Sequence, residues 1–193
     1  MAPRYEPQYL RLMAICHGKS EQYMCEYIKS NLRLRMAVVG DKRGEKSIQI
    51  TSLMRYLNNT IYANPNMFFS RYPVEKSRRR MIRNFKIFTI MDADDCPARQ
   101  FQSYKDATMF KDHWLHDYII PIYNIHNFEN VLNKAKWNCP EKKKDYCKVF
   151  PINRGERDIT QVKQFYAALS KVSAFSNLSV FIKSCMDEYN VFT

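Results

Sequence analysis

Two short stretches carry the residue types that chemistry needs. "CHGKSE" (Cys16 to Glu21) ends an apolar run in a histidine, a glycine, a lysine and a glutamate, and "MDADD" (Met91 to Asp95) ends another in three carboxylates. Acids spaced as Asp92 and Asp94 can both turn toward one hard cation where a chain leaves a strand. Mg²⁺ needs only one or two carboxylates, completing its shell with water and substrate phosphate oxygens. A cation held there polarises a phosphodiester and stabilises the leaving oxygen. The same acids also read as an ordinary turn before a helix opened by Pro97, with Asp95 as its cap. Lys19 and the amides that begin a helix after Gly18 suit a phosphate, although a single lysine is more commonly a solvated surface group.

These residues need elements to position them. "YLRLMAIC" (Tyr9 to Cys16), "MAVVG" (Met36 to Gly40), "NFKIFTIMD" (Asn84 to Asp92) and "YIIPIYNI" (Tyr118 to Ile125) read as four strands. The third is almost continuously apolar, as a strand covered on both faces should be, and Pro121 marks the fourth as an edge or bulged strand. Between them, Tyr23, Met24, Tyr27, Ile28 and Leu32 share one helical face, with Ser20 suited to cap it and Glu21 to its first turn. Ile50, Met54, Leu57 and Ile61 form a second helical stripe, and Pro97 opens a helix running toward Trp114. Residues 63–83 break the rhythm and read as an irregular basic connection. "NFENVLNKAK" starts a further helix. In "DITQVKQFYAALSKV", Asp158 and Gln161 have capping-box spacing. "NLSVFIKSCMDEY" closes the chain in helical register.

This alternation predicts an α/β layer fold with a mainly parallel four-stranded sheet flanked by helices. The expected layout is one α/β domain over residues 8–135, with residues 136–193 supplying a basic excursion and C-terminal helices to the same domain. Ligands of such sheets gather at the carboxyl ends of the strands, so the two chemical stretches face one crevice if their strands are neighbours.

Composition narrows the function classes. With 46% hydrophobic residues among 193, the chain folds rather than remaining disordered. Its formal charge of +12 and pI near 9.4 suit a polyanion, of which nucleic acid is the commonest, and otherwise a solubilising surface. No apolar run is long enough to cross a bilayer, and Met1 to Pro7 lacks the apolar core of a signal peptide. The cysteines at 16, 25, 96, 139, 147 and 185 show no zinc spacing and read as reduced thiols, so a cytoplasmic protein is expected. His113, His116 and His126 make no ligand spacing with one another.

A strand ending in a Glu-Gly-Lys-Thr-Glu type element, then a helix, then a later strand ending in Asp-x-Asp is the pattern of Toprim domains. These occur in topoisomerases, primases, OLD-family nucleases and RloB-like proteins. "CHGKSE" and "MDADD" resemble that pattern, and the single-domain layout is most similar to the RloB-like group. "NIHNFENVL" (Asn124 to Leu132) is similar to the element that opens the helix after that group's fourth strand, and "GDKRGEKS" (Gly40 to Ser47) to its glycine-containing loop. The likeness covers roughly residues 9 to 135, about two thirds of the chain, in short motifs whose order and strand context agree.

The resemblance implies a Toprim-like nuclease that cleaves phosphodiesters with Mg²⁺ or Mn²⁺. Asp92 and Asp94 are its expected ligands, Glu21 a ligand or catalytic acid, and Glu129 either a further acid or an ordinary first-turn glutamate. Position 17 departs from the family, which has glutamate there. His17 is compatible with three roles: proton transfer near neutral pH, ligation of Mn²⁺, or a disabled site in a protein that binds without cutting. Lys19, Lys42, Arg43, Lys46, Arg78, Arg79, Arg80 and Arg83 are expected to meet phosphates, with "EKKKDYCK" (Glu141 to Lys148) adding charge, while Phe68, Phe69 and Tyr72 could stack on unpaired bases. The family also suggests a phage-defence setting with an ATPase partner, since the chain has no GxxxxGK[ST] element. A homodimer through the C-terminal helices is a further option.

Overall fold

In the computed structural model, residues 8–78 and 81–191 are described, Arg43 and Val191 by backbone alone. Four strands, β1 (Leu12–Cys16), β2 (Met36–Val39), β3 (Lys86–Asp92) and β4 (Ile119–Asn124), pair in parallel throughout, in the order β2-β1-β3-β4. The α/β fold with a parallel four-stranded sheet is therefore present, in a Rossmann-like arrangement.

Side-chain alternation divides the core into two layers. Leu12, Ala14, Cys16, Phe88 and Ile90 face α1 (Lys19–Leu32) and later helices, whereas Met13, Ile15, Ile87 and Met91 face α2 (Ile50–Asn58), α3 (Pro65–Arg71) and α4 (Ala98–Lys105). The first layer is completed by α5 (Phe128–Lys134), α6 (Tyr146–Val149), α7 (Thr160–Ser170) and α8 (Leu178–Val191). Residues beyond 135 thus pack on the sheet: Phe181 of α8 meets Phe88 of β3 with ring centroids 5.1 Å apart. No described helix is long and apolar enough to cross a membrane.

Pro121 does lie on an edge strand, paired in register with Thr89. The exposed side of β4 is not left bare. Asn177 accepts from the Tyr123 amide at 2.8 Å and donates to the Pro121 carbonyl at 2.9 Å, and the Phe175 carbonyl accepts from Ile125 N at 2.7 Å. The 175–177 segment so takes up backbone groups that would otherwise template another strand.

Several local expectations are corrected. The irregular 63–83 segment contains α3, because the Asn64 side chain accepts from Met67 N and Pro65 sits in the first turn. The cap of α1 is Gly18, not Ser20, and Glu21 reaches back to the Gly18 amide. The helix opened by Pro97 stops at Lys105, well short of Trp114, and Pro97 rather than Asp95 stands at its cap. The capping box at 158–161 does not form. Asp158 accepts from Thr160 N, while the Gln161 side chain instead accepts from the Tyr27 hydroxyl at 2.9 Å.

Candidate functional site

The chain leaves β1 for the α1 face and leaves β3 for the α4 face. With β2 on one side of β1 and β3 on the other, the β1/β3 boundary is the switch point of the sheet, where open α/β folds form their crevice. His17 follows β1 and Asp92 ends β3, so the two chemical stretches meet there.

His17 is fixed from three directions. Its amide donates to the Ile90 carbonyl at 2.8 Å, its carbonyl accepts from Ile48 N at 2.8 Å, and its Nδ1 lies 3.0 Å from the Ile48 carbonyl. Its Nε2 is 4.0 Å from Asp92 Oδ2. The other oxygen of Asp92 accepts from Asn124 Nδ2 at 2.9 Å, and Asn124 Oδ1 in turn accepts from Ser176 Oγ at 2.9 Å. Ser176 also accepts from Leu178 N at 3.0 Å, tying this relay to the start of α8.

Behind His17 lies Glu21, only 2% exposed, whose Oε2 accepts from Gly18 N at 3.0 Å. Burial raises its pKa well above the carboxylate range, and the charge of Asp92 raises it further. Asp92, 7% exposed, is pushed up to about 6 by burial, against the opposing pull of His17 and the Asn124 hydrogen bond. Glu129, in the first turn of α5, accepts from Ser20 Oγ at 3.2 Å and adds negative charge to both. Acids from β3, α1 and α5 therefore act on one another electrostatically.

Comparison with protein-family models, with curated proteins and with solved structures finds no match to this chain. The site must be read from its own geometry.

That geometry redistributes the expected residues. Asp94 is exposed, its Oδ1 accepts from the next amide, Asp95 N, at 3.1 Å, and its charge adds to the upward push on Asp92. Glu129 is joined through Ser20 to the first turn of α1. Among the described residues no group of three or more His, Cys, Asp or Glu side chains is arranged to hold a metal ion. The donor chemistry still suits a hard cation, because buried carboxylates raise one another's pKa, and Mg²⁺ is satisfied by one or two such oxygens plus water.

The basic residues separate into two groups. Lys42 and Lys46 are exposed on the loop that leads into Ile48, the residue bonded to His17. Lys19 is half-buried at the first position of α1, whose amide end is already met by Glu21. Lys142, Lys143 and Lys144 are exposed in the later excursion, just before the buried Tyr146, whose phenol lies 3.6 Å from Cys139 Sγ. Arg78 and Arg83 do not rim the crevice. They flank the small Lys76↔Ile82 bridge before β3, and that seven-residue strand places them about 20 Å from Asp92. Arg79, Arg80 and the Arg43 side chain lie outside the described residues.

The base-stacking expectation for Phe68 is overturned, because this ring is fully buried. With Phe69 and Tyr72 it packs among Tyr62, Phe85 and Trp114 beneath the sheet. Conversely, Asn124 and Ser176 escaped sequence reading. Asn124 ends β4 in register with Asp92, a signal that appears only once strand pairing is known.

Proposed function

We propose that the chain binds nucleic acid and cleaves phosphodiesters with a divalent cation, the activity that the Toprim resemblance implies. The observation that carries the reading is the convergence of Asp92, Glu21 and Glu129 beside His17 at the sheet's switch point, with both buried acids held above their ordinary pKa. Perturbed acids in a crevice are what catalytic sites assemble. Asp92 and Glu129 would hold Mg²⁺ or Mn²⁺, with Glu21 behind them. When bound, the cation supplies charge neutralisation at the scissile phosphate.

The chain's own residues do the rest. Lys19, Lys42 and Lys46 attract the phosphate backbone. His17 presents Nε2 toward the crevice and takes the proton from an attacking water. Asn124 holds Asp92 in orientation. A phage-defence role and an ATPase partner belong to the same proposal, resting on the family likeness alone, and a cytoplasmic setting joins them on the reading of the cysteines as reduced thiols.

A second reading, a binding module without chemistry, is favoured by the exposure of Asp94 and by the absence of three clustered metal donors among the described residues. Cleavage of labelled DNA and RNA in Mn²⁺, by the native protein and by Asp92→Asn, separates the two. Cleavage that disappears in EDTA and in Asp92→Asn supports the nuclease. Salt-sensitive binding with no cleavage in either metal supports the module, and cleavage surviving Asp92→Asn removes the acid centre from the account.

A further inference from the structure

A groove of about 410 Å³ lies between the 41–48 loop and α2, next to the segment bonded to His17. Its chemistry is carried by Lys46, Ser47, Gln49, Arg55, Tyr56 and Asn59. Ile48 belongs to its wall and is hydrogen-bonded twice to His17, so groove and acid centre share a border.

The loop that forms one wall is shaped by close contact rather than by chance. Gly40 and Gly44 both lie against the Gln22 side chain of α1; a Cβ at Gly40 would fall 1.7 Å from Gln22 Nε2. Gly44 further has a positive φ of 82°, open to glycine at little cost. This anchoring sets Lys46 and Ser47 at the mouth of the groove.

We infer that this groove receives one nucleotide of an unpaired nucleic-acid strand, placing the adjoining phosphate at the acid centre. The inference rests on the nuclease reading only for that last clause. Arg55 is exposed on α2 and Lys46 is largely exposed, its ammonium 3.5 Å from Asp41 and free to exchange that partner for a phosphate. Tyr56 offers a half-buried ring, and its phenol, pushed up to about 12 chiefly by burial, stays neutral beside a phosphate. The amides of Gln49 and Asn59 and the hydroxyl of Ser47 supply the donors and acceptors that base edges need. The volume fits a ligand of nucleotide size. A paired base has its hydrogen-bonding edge covered by its partner strand, so only an unpaired base can enter a groove this small.

The test is fluorescence anisotropy in EDTA, using a labelled oligonucleotide of about 12 nucleotides, single-stranded or as a duplex. The native protein should bind the single strand about tenfold more tightly, and Arg55→Ala and Lys46→Ala should each weaken single-strand binding by about threefold to tenfold. A photoreactive thiouridine strand should crosslink at or beside Tyr56. Duplex binding as tight as single-strand binding, unchanged affinity in Arg55→Ala, or crosslinks confined elsewhere would overturn the groove. Because cleavage is not read, the two claims fail separately. Single-strand binding with the expected variant losses but no metal-dependent cleavage leaves the groove and removes the nuclease.

Discussion

The Nδ1 of His17 is committed to the Ile48 carbonyl, 3.0 Å away. A carbonyl oxygen only accepts, so Nδ1 carries a hydrogen and Nε2, turned toward Asp92, is the nitrogen left open. An imidazole oriented by a backbone carbonyl on one nitrogen is prepared for proton transfer on the other. His17→Ala should lower the single-turnover cleavage rate by about 10²- to 10³-fold while metal affinity changes far less. Partial recovery with added imidazole would mark proton transfer. An unchanged rate would leave His17 without a catalytic part.

The buried acids should cost stability at neutral pH. Asp92 titrates near 6 in the fold and near 4 when unfolded, so the native state holds the extra proton between those values. Stability from this group is complete below about pH 4 and is lost as pH rises through about 6. Asp92→Asn should therefore stabilise the protein at pH 7.5, on the order of 2 kcal/mol, with the gain vanishing near pH 4. Urea melts at both pH values check the sign. Glu21→Gln should act in the same direction, since its carboxyl is raised as well.

Cation binding must displace protons from the same carboxyls. Affinity for Mn²⁺ should rise steeply between about pH 5.5 and 7.5, with protons released on binding. Calorimetry in two buffers of different ionisation heat measures that release. A pH-independent isotherm, or one unchanged in Asp92→Asn, would place the cation elsewhere.

The relay from Ser176 through Asn124 to Asp92 joins the acid centre to the start of α8. Asn124→Ala removes the donor to Asp92 Oδ1 and leaves the Ser176 hydroxyl without its acceptor, all in buried space. The expected cost is about 2–3 kcal/mol. Its diagnostic is a further rise in the Asp92 pKa, seen as an upward shift of the Mn²⁺ pH midpoint. Ser176→Ala, which also loses the bond to Leu178 N, should cost about 1–2 kcal/mol.

Gly44 combines a positive φ with the Gln22 amide group about 3 Å from where a Cβ would stand. Gly44→Ala should destabilise by about 1–2 kcal/mol. If the loop sets the groove, single-strand binding should weaken with it, and restored binding in Gln22→Ala/Gly44→Ala would identify the crowding as the cause.

Much of the framework was legible in the chain. β1, β3 and β4 announced themselves through apolar runs that end in polar residues, because strands covered on both faces have few alternatives. α3 was not legible, since Pro65 and Pro73 bracket a stretch whose helix rests on the Asn64 cap and on burial of Phe68. Burial of the two strand-end acids was not legible either: spacing states that Asp92 and Asp94 are near, but the turn after β3 leaves Asp92 buried and Asp94 exposed.

The sequence by itself determined the parallel sheet, the position of His17 and Asp92 at strand ends, and the strong positive charge, because these depend on local patterning and composition. Tertiary structure alone decided that Glu129 meets Ser20 and acts on Asp92 rather than serving only its own helix, that Asn124 and Ser176 hold Asp92, and that Arg78 and Arg83 sit at the far end of the sheet. Those relationships follow from strand order and register, which bring together residues more than 100 positions apart, as with Ser20 and Glu129. Local propensity carries no record of such pairings.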